Sequence, residues 1–333
     1  MAVKNLLGID IGSSSIKLVE LDRGKEKFLL RAIGEIAIPS GLLASESEES
    51  FSTLSFYLKK LIQDSGCHTN NAVSTIPSEK VFLSTIEFPP MPKEELDYAM
   101  RWEIKRQIPD YEDRVISWEV LNQDKGLEIF LAAAPRMFVS KQLDILKMSG
   151  LNPISLETEP VALSRSLVDA GKEGVVVVHI GVSFSFCMLV EKGSLKIVRN
   201  LKTGENEMIR ALVGREGDYL ETKKMLYKNG FSKSKENEKN YNTLKPVLKG
   251  LISEIQRLLG FYQERTQKEI SQIIVSGGCA GIPGITDYLS ETLFLEARIA
   301  NPWFKLDHSL IRDSKKLTRL GSRFAVAVGL AMM

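Results

Sequence analysis

The sequence predicts an α/β protein of two duplicated lobes, with a smaller module inserted in the first lobe. Residues 6–20, LLGIDIGSSSIKLVE, have the pattern of a buried strand, a glycine turn with three hydroxyls and an outgoing strand. The same order returns at residues 175–191. With 333 residues, of which 44% are hydrophobic, the chain is also long and apolar enough to give each lobe a core.

The turn of the first hairpin has the chemistry of a phosphate-binding loop. Gly12 can adopt backbone angles that other residues resist, and the N–H groups and hydroxyls of Ser13, Ser14 and Ser15 can converge on an anion. The stretch is not a Walker loop, because no Gly-Lys-Ser follows, and not a GxGxxG fingerprint, because no helix follows directly. Taken alone, an ordinary serine-rich β-turn explains it equally well.

Composition argues against several functional classes. Lysine and arginine nearly balance the acidic residues, and the net charge of +2 does not suit a dedicated nucleic-acid binder. Cys67, Cys187 and Cys279 are far apart, so neither a disulfide framework nor a zinc site is indicated. No secretory signal precedes the first strand, and no run reaches about 18 uncharged apolar residues. We therefore expect a cytoplasmic protein that reaches a membrane through a partner.

The remainder of the first half predicts a half-domain interrupted by the module. A third strand at residues 28–38 is followed by a helix that ends at Gly66 and by a short parallel strand at residues 72–76. Composition changes at residues 88–92, FPPMP, where we place a boundary. Beyond it the pattern is a module of two helices enclosing two strands, at residues 93–107, 115–121, 127–134 and 136–149.

The second half repeats the hairpin and adds helices. VVHIG at residues 177–181 matches GIDIG at residues 8–12, and hydroxyl residues and an outgoing strand follow each. A strand at residues 273–275 then leads into Ser276, Gly277 and Gly278. The other predicted segments are a lysine-rich helical stretch, a polar loop, a long helix, a short helix and a last helix of small residues, at residues 219–229, 232–242, 244–267, 285–293 and 325–331.

These motifs together resemble the actin-like superfamily, whose ribonuclease H-like fold holds a nucleotide between two duplicated lobes. The resemblance covers almost the whole chain. Its five motifs are, in chain order, a first phosphate loop, a first connecting helix, a second phosphate loop, an adenosine loop and a second connecting helix. In this chain they correspond, in the same order, to residues 10–17, 157–163, 179–181, 276–278 and 325–331. Within the superfamily the chain is similar to the PilM family of type IV pilus assembly, which shares the inserted subdomain 1C with the division protein FtsA. GIDIGSSSIKLVEL, the module that begins with Phe88-Pro89, and VSGGCAGIPGITDYLSETL carry that similarity.

The resemblance implies a division of the chain into subdomains. The expected subdomains are 1A at residues 1–87 and 151–172, 1C at residues 88–150, 2A at residues 173–205 and 269–314, 2B at residues 206–268, and a terminal helix packing on 1A at residues 315–333.

The resemblance also implies a nucleotide site with ATP or ADP and magnesium. Asp10 would hold the hydrated magnesium ion. The implied nucleotide-binding residues are Asp10, Gly12, Ser13, Ser14, Ser15, Lys17, Gly181, Glu221, Lys224, Gly277 and Gly278. The residues themselves leave alternatives open. Asp10 can cap a turn, Lys17 can lie on the exposed face of a strand, and Glu221 with Lys224 can be an ordinary surface ion pair.

Two further residues bear on turnover. By resemblance, Glu159 would lie near the metal and the attacking water, although a carboxylate that faces a helix amino terminus is the alternative. His179 stands where the superfamily commonly has aspartate, and it is mostly neutral at pH 7, so the site loses a charge that would hold hydrated magnesium. We expect nucleotide binding with weak or absent turnover. A buried, hydrogen-bonded histidine is the simpler interpretation of His179.

The family resemblance further implies a partner, a PilN-like single-pass inner-membrane protein whose amino-terminal cytoplasmic peptide lies in a groove beside the module. Tyr98, Trp102 and Ile108 are candidate anchors, since an apolar peptide needs aromatic and aliphatic contacts, but each can equally be core of the module. A small-molecule kinase, an active ATPase and an FtsA-like filament protein are the competing functions. The kinase needs a general base, which we do not identify, and the filament protein needs an amphipathic carboxy-terminal helix.

Overall fold

The computed structural model describes residues 5–333 apart from residues 26, 40, 46, 123–125, 215–216 and 312. In this described part of the chain, the strands form three sheets, of six, five and three strands. The two larger sheets lie in the two predicted lobes and the smallest lies in the module. Within the described residues, no helix has the length and apolar character needed to cross a membrane.

The first lobe is built on the six-stranded sheet. Numbered in chain order, its strands are β1 (Asn5–Ile11), β2 (Ser15–Arg23), β3 (Phe28–Ala37), β4 (Asn71–Ile76), β8 (Asn152–Thr158) and β14 (Leu306–Asp307). They lie in the order β14-β3-β2-β1-β4-β8, with β1, β2 and β3 antiparallel and with β4 and β8 parallel to β1. Helix α1 (Glu48–Ser65) makes the crossover to β4 and ends, as predicted, at Gly66, whose φ of 64° suits glycine. The apolar side chains of β1 pack against Leu54 and Leu58 of α1.

The second lobe repeats this topology. Its strands are β9 (Val175–Ile180), β10 (Ser185–Glu191), β11 (Ser194–Leu201), β12 (Gln272–Ser276) and β13 (Ala297–Ile299). The order β11-β10-β9-β12-β13 is the order of β3-β2-β1-β4-β8, with the same parallel and antiparallel neighbours. The duplication predicted from the two hairpins is therefore confirmed by the sheets.

The helical part of the second lobe differs from the prediction in two places, the first being that a helix begins at Glu238, within the polar loop expected at residues 232–242. The helices are α5 (Glu205–Val213), α6 (Tyr219–Asn229), α7 (Glu238–Leu244), α8 (Lys249–Thr266) and α9 (Ile285–Leu293). The single long helix expected at residues 244–267 is wrong, because a 3-10 turn at Lys245–Leu248 separates α7 from α8. Pro246 lies in that turn, and it has no N–H to donate to an α-helical hydrogen bond.

The module has one more strand than the two predicted. β5 (Phe82–Phe88) pairs with β7 (Leu127–Pro135), which also pairs with β6 (Arg114–Asn122), so the sheet has the order β5-β7-β6 and begins at Phe82, before the FPPMP boundary. Helix α2 (Lys93–Gln107) covers one face of this sheet through Leu96 and Met100. Helix α3 (Arg136–Met148), predicted as part of the module, buries Ile145 and Leu146 in the core of the first lobe.

Two crossing helices lie between the lobes. They are α4 (Glu159–Leu167) and α10 (Ser314–Ala331), which starts near residue 315, the bound given for the terminal helix, and well before residue 325, where the stretch of small residues begins. Glycine permits the close packing of α10 on its neighbours, since a Cβ at Gly329 would lie 1.9 Å from the Ala162 carbonyl oxygen of α4, and one at Gly8 of β1 would lie 2.0 Å from the Ala327 carbonyl oxygen. The ends of both sheets thereby come to face one cleft.

Candidate functional site

A cleft of about 370 Å³ opens between the two lobes. Its lining comes from strand ends, turns and helices of both lobes. The lining residues that the sequence predicted are Asp10, Gly12, Ser13, Ser14, Ser15, Lys17, Glu159, His179, Gly181, Gly277 and Gly278. Sequence segments that lie far apart along the chain are therefore brought to one place.

The two hairpin turns close with the same backbone hydrogen bond. The Gly12 N–H donates to the Ser15 carbonyl at 3.1 Å, and the Gly181 N–H donates to the Phe184 carbonyl at 2.9 Å. The Ser15 hydroxyl donates to Glu35 at 2.9 Å, so it is not free for a ligand as the sequence suggested. Ser13 and Ser14 of the first turn are half-buried and line the cleft, so their donors can reach a ligand.

Asp10 and Lys17 face each other across the first hairpin. The two residues are register partners, and the Lys17 Nζ lies 3.7 Å from the Asp10 carboxylate. Burial raises the pKa of Asp10, and the Lys17 charge acts in the opposite direction. The pair gives the cleft one anionic and one cationic group at the end of β1.

Glu159 is the first residue of α4 and is held by Ser78. The Ser78 N–H and hydroxyl donate to the same Glu159 oxygen at 3.0 and 2.9 Å. Burial, followed by the charge of Asp10, raises the pKa of Glu159 to about 7, although the Ser78 hydrogen bonds favour the ionised form. Near neutral pH this carboxyl is therefore divided between its protonated and ionised forms.

His179 occupies in the second hairpin the position that Asp10 has in the first. Burial, and to a lesser extent the Lys17 charge, lowers the pKa of His179 to about 4, so the ring is neutral at pH 7. The ring stacks on Phe186 with centroids 5.1 Å apart and an interplanar angle of 11°. Its Nδ1 has no hydrogen-bond partner among the described residues, so the hydrogen bond expected of a core histidine is not made at this atom.

The structure does not place Glu221 and Lys224 in the cleft lining. They form an exposed ion pair of 2.7 Å on α6, as in the alternative interpretation of this i, i+3 pair. Lys223 lines the cleft instead, with its Nζ 2.8 Å from the buried Glu205 carboxylate, and Tyr227 lies one helical turn further on. The signal in the sequence was helical phase, since Lys223 and Tyr227 at i and i+4 share a face of α6.

Arg323 of α10 is another cleft residue that the sequence reading missed. It is ion-paired with Glu35 of β3, which also accepts the Ser15 hydroxyl. No local pattern in the sequence marks it.

Gly277 and Gly278 stand at the floor of the cleft. Gly277 has a φ of 93°, and a Cβ there would lie 2.4 Å from the Ile180 carbonyl oxygen, so only glycine fits between β12 and the second hairpin. Its N–H donates to the Ser322 carbonyl at 2.9 Å. Gly278 has the Tyr227 hydroxyl as its nearest neighbour, at 4.0 Å from the position of a Cβ. A ligand can therefore approach the Gly278 backbone closely.

A second cavity, of about 330 Å³, lies between the module and the first lobe, and we call it the groove. Its walls are the outer strands β6 and β8, with α3 and β7 beneath them. The lining residues are Ile76, Val81, Val115, Ser117, Ala132, Ala134, Val139, Leu143, Pro153, Ile154, Ser155, Leu156 and Thr158. The groove is mainly apolar, and the buried Thr158 hydroxyl has no partner among the described residues.

The predicted groove anchors do not lie in this groove. Ile108 is 2% exposed in the core of the module, beside Leu96 and Met100, which is the alternative that the sequence left open. Tyr98 and Trp102 are 73% and 66% exposed on the outer face of α2. Because α2 covers the opposite face of the module sheet, these two side chains point away from the groove.

Within the described ranges no group of three or more His, Cys, Asp or Glu side chains forms a metal site on its own. A magnesium ion that arrives with a nucleotide needs less from the protein, because it keeps several waters and takes phosphate oxygens and one or two carboxylates as ligands. Asp10 and Glu159 line the same cleft and fit that requirement.

Comparison with known proteins identifies the relatives of this chain. The family model of the type IV pilus assembly protein PilM matches residues 8–333. A solved PilM-PilN type IV pilus biogenesis complex is 26% identical with a TM-score of 0.85, over 100% of this chain and 98% of that one.

More distant structures share the fold alone. The ethanolamine utilization protein EutJ from Carboxydothermus hydrogenoformans is 15% identical with a TM-score of 0.59, over 100% of this chain and 90% of that one. MreB5 of Spiroplasma citri bound to ADP is 12% identical with a TM-score of 0.55, over 98% of this chain and 95% of that one. The fold is thus actin-like, as predicted. Since the family model spans nearly the whole chain, the protein belongs to the family of type IV pilus assembly protein PilM.

Proposed function

We propose that this protein is a scaffold of type IV pilus assembly that binds an adenine nucleotide in the cleft and a PilN-like membrane protein in the groove. The observation that carries the proposal is the likeness to the PilM-PilN complex over the full length of this chain, together with an apolar groove beside the module. The family match does not favour the small-molecule kinase or the filament protein.

The cleft suits the phosphates of ATP or ADP. Two glycine turns present backbone N–H groups from opposite sides, and Lys17 supplies a positive charge. Glu205, Lys223 and Tyr227 lie further along the cleft, where a ribose and base would extend. Magnesium, when bound, would neutralise phosphate charge, with Asp10 and Glu159 as the residues that fit its hydration shell. Because His179 adds no negative charge on the other side, we propose that turnover is weak or absent.

The groove suits an extended apolar peptide. β6 is an edge strand of the module sheet and β8 is an edge strand of the first sheet, so both border the groove with main-chain groups that a peptide can pair with. Val81, Val139 and Leu143 offer apolar contacts for alternate side chains of such a peptide. The proposed occupant is the amino-terminal cytoplasmic peptide of a PilN-like single-pass protein, which would recruit this chain to the inner-membrane face.

Two measurements test the proposal. Calorimetry with ADP and magnesium tests the cleft. Capture of the protein on an immobilised synthetic amino-terminal peptide of its PilN tests the groove. We expect Leu143→Glu, which places a charge in the groove, to lose capture, and Phe56→Glu, at an exposed site on α1, to retain it. A folded wild-type protein that captures no peptide would contradict the docking role, and one that binds no nucleotide would contradict the cleft assignment.

A further inference from the structure

Helix α2 of the module presents an aromatic and basic face to solvent. Tyr98 and Trp102 are 73% and 66% exposed, and Arg101 and Lys105 are exposed beside them. These four residues lie at i, i+3, i+4 and i+7, so they form one continuous stripe along the helix, which we call the α2 face. Among the described residues, no ion pair involves Arg101 or Lys105, so both charges of the α2 face are unbalanced.

Aromatic rings and cations alternate closely at the carboxy-terminal end of this helix. The distances from the cation to the ring centroid are 6.0 Å for Arg101 and Tyr98, 5.9 Å for Arg106 and Trp102, and 5.7 Å for Lys105 and Tyr111. Such contacts hold a charged group beside a ring at an exposed site. Apolar rings and positive charges are therefore offered together, on one side of the module.

The helix macrodipole explains only part of the α2 face. It favours cations in the last turn, where Lys105 and Arg106 lie. It gives no reason for the exposure of Trp102, whose large apolar surface is left in water. The helix is already anchored to the module sheet by Leu96 and Met100, on its opposite side. Tyr98 and Trp102 are thus available to a partner outside the chain.

The chemistry of the α2 face suits a bilayer interface better than a protein groove. A helix that docks in a protein groove carries apolar anchors at i, i+3, i+4 and i+7, whereas two of these four positions are Arg101 and Lys105. Tryptophan and tyrosine are enriched at the level of lipid headgroups, because each ring has an apolar body and a polar tip. Arginine and lysine beside them are attracted by anionic headgroups.

We propose that the carboxy-terminal half of α2 contacts an anionic lipid bilayer, with Tyr98 and Trp102 at headgroup level and Arg101 and Lys105 beside lipid phosphates. The acidic first turn of α2, with Glu94 and Glu95, confines the contact to that half. Two cations and two rings give weak, reversible binding, which becomes effective when a membrane-protein peptide already holds the chain at the surface. The contact goes beyond the proposed function and does not depend on it, since the protein alone suffices to show it.

Sedimentation of the purified full-length protein with vesicles tests the contact. At low salt we expect binding to vesicles of phosphatidylglycerol and phosphatidylethanolamine, no binding to vesicles of phosphatidylcholine alone, and release as salt is raised. A double variant with Arg101→Glu and Lys105→Glu is expected to bind about 10- to 20-fold more weakly, since each cation near an anionic surface contributes about fivefold.

The matched control makes the same change of net charge elsewhere. Lys235 and Lys239 are exposed residues of the second lobe that also lie four apart, and a double variant with Lys235→Glu and Lys239→Glu is expected to keep the wild-type affinity. Equal losses in the two double variants would overturn the proposal, because binding would then follow net charge and not the α2 face. Failure of the wild-type protein to bind anionic vesicles would overturn it too, and would leave the tests of peptide and nucleotide binding untouched.

Tryptophan fluorescence locates the contact on the protein. Trp102 is exposed, whereas Trp118 is half-buried in the module and Trp303 is 4% exposed. Anionic vesicles with brominated acyl chains quench a tryptophan that lies at the bilayer interface. We expect them to quench the wild-type protein and to lose this effect with Trp102→Phe, which keeps an aromatic ring and still sediments. Quenching that persists in Trp102→Phe would show that another surface meets the bilayer, and would overturn the proposal.

Discussion

The two hairpins have the same backbone but different side-chain charges. In the first, register partners Asp10 and Lys17 form an ion pair of 3.7 Å, whereas in the second the equivalent partners, His179 and Phe186, form an aromatic stack of 5.1 Å. Both turns close through the same N–H to carbonyl bond, which depends on the backbone alone. The comparison indicates that the backbone of the hairpin turn is duplicated, whereas an ion pair between the register partners is present in the first hairpin and not in the second.

The largest expected effect is on the pH dependence of stability, which has opposite signs for the two sides of the cleft. His179 has its pKa lowered from 6.5 to about 4, so the unfolded chain binds more protons and stability rises with pH between those values. Glu159 has its pKa raised from 4.5 to about 7, so the folded chain binds more protons and stability falls with pH across that window. Each effect amounts to at most about 3 kcal/mol, and in the wild-type protein they oppose each other.

Substituting either Glu159 or His179 should reveal the pH dependence of stability that the other residue causes. Relative to wild type, Glu159→Gln is expected to become more stable as pH rises from 4.5 to 6.5, and His179→Asn is expected to become less stable over the same range. Urea unfolding in buffer without nucleotide or metal measures both slopes. Glu221→Gln, at an exposed carboxyl, should keep the wild-type profile. Parallel profiles for the two cleft variants would contradict the opposed pKa shifts.

The second prediction concerns Asp10 of the first hairpin, the proposed partner of the hydrated magnesium ion. Asp10→Asn is expected to weaken binding of ADP in the presence of magnesium by about 10- to 100-fold, because the carboxylate that accepts from the hydrated ion is lost. With EDTA present, the same substitution should change the affinity for ADP little. No magnesium is then bound, and the substitution only removes an anion beside the phosphates. Calorimetry under both conditions measures the difference. An equal loss with and without magnesium would show that Asp10 acts on the fold and not on the metal.

The third prediction reverses the difference between the hairpins. His179→Asp returns a carboxylate to the second hairpin and is expected to strengthen the dependence of ADP binding on magnesium by about tenfold. The new carboxyl lies against Phe186, which is fully buried, so a lower stability at neutral pH is expected as well. The ratio of affinities with magnesium and with EDTA is the relevant measurement. A ratio equal to that of the wild-type protein would show that the charge of residue 179 does not control the metal.

Much of this arrangement was predictable because it rests on local patterns. The glycine hairpins at Gly12 and Gly181 follow from short-range backbone requirements, and the duplication follows from comparing one stretch of sequence with the other. β13 and β14 were missed because strands of three and two residues have no detectable alternation. The exposure of Trp102 was predictable from helical phase, since Leu96, Met100, Ile104 and Ile108 repeat at intervals of four on one face and Trp102 lies on the opposite one. Arg323 reaches the cleft, and Ser78 reaches Glu159, through tertiary packing alone, which single-sequence patterns do not encode.

The last prediction compares adjacent lysines of α6 and concerns the part of the cleft where the second lobe does supply charge. Lys223 lines the cleft with Glu205, whereas Lys224 points to solvent and pairs with Glu221. Lys223→Met is expected to weaken ADP binding about fivefold, because Glu205 is then left buried and uncompensated beside the ligand. Lys224→Met, which makes the same chemical change one residue away, is expected to stay within about twofold, since exposed ion pairs contribute little. Equal effects of the two substitutions would show that the nucleoside does not lie against Lys223, and would limit the ligand contacts to the two hairpins.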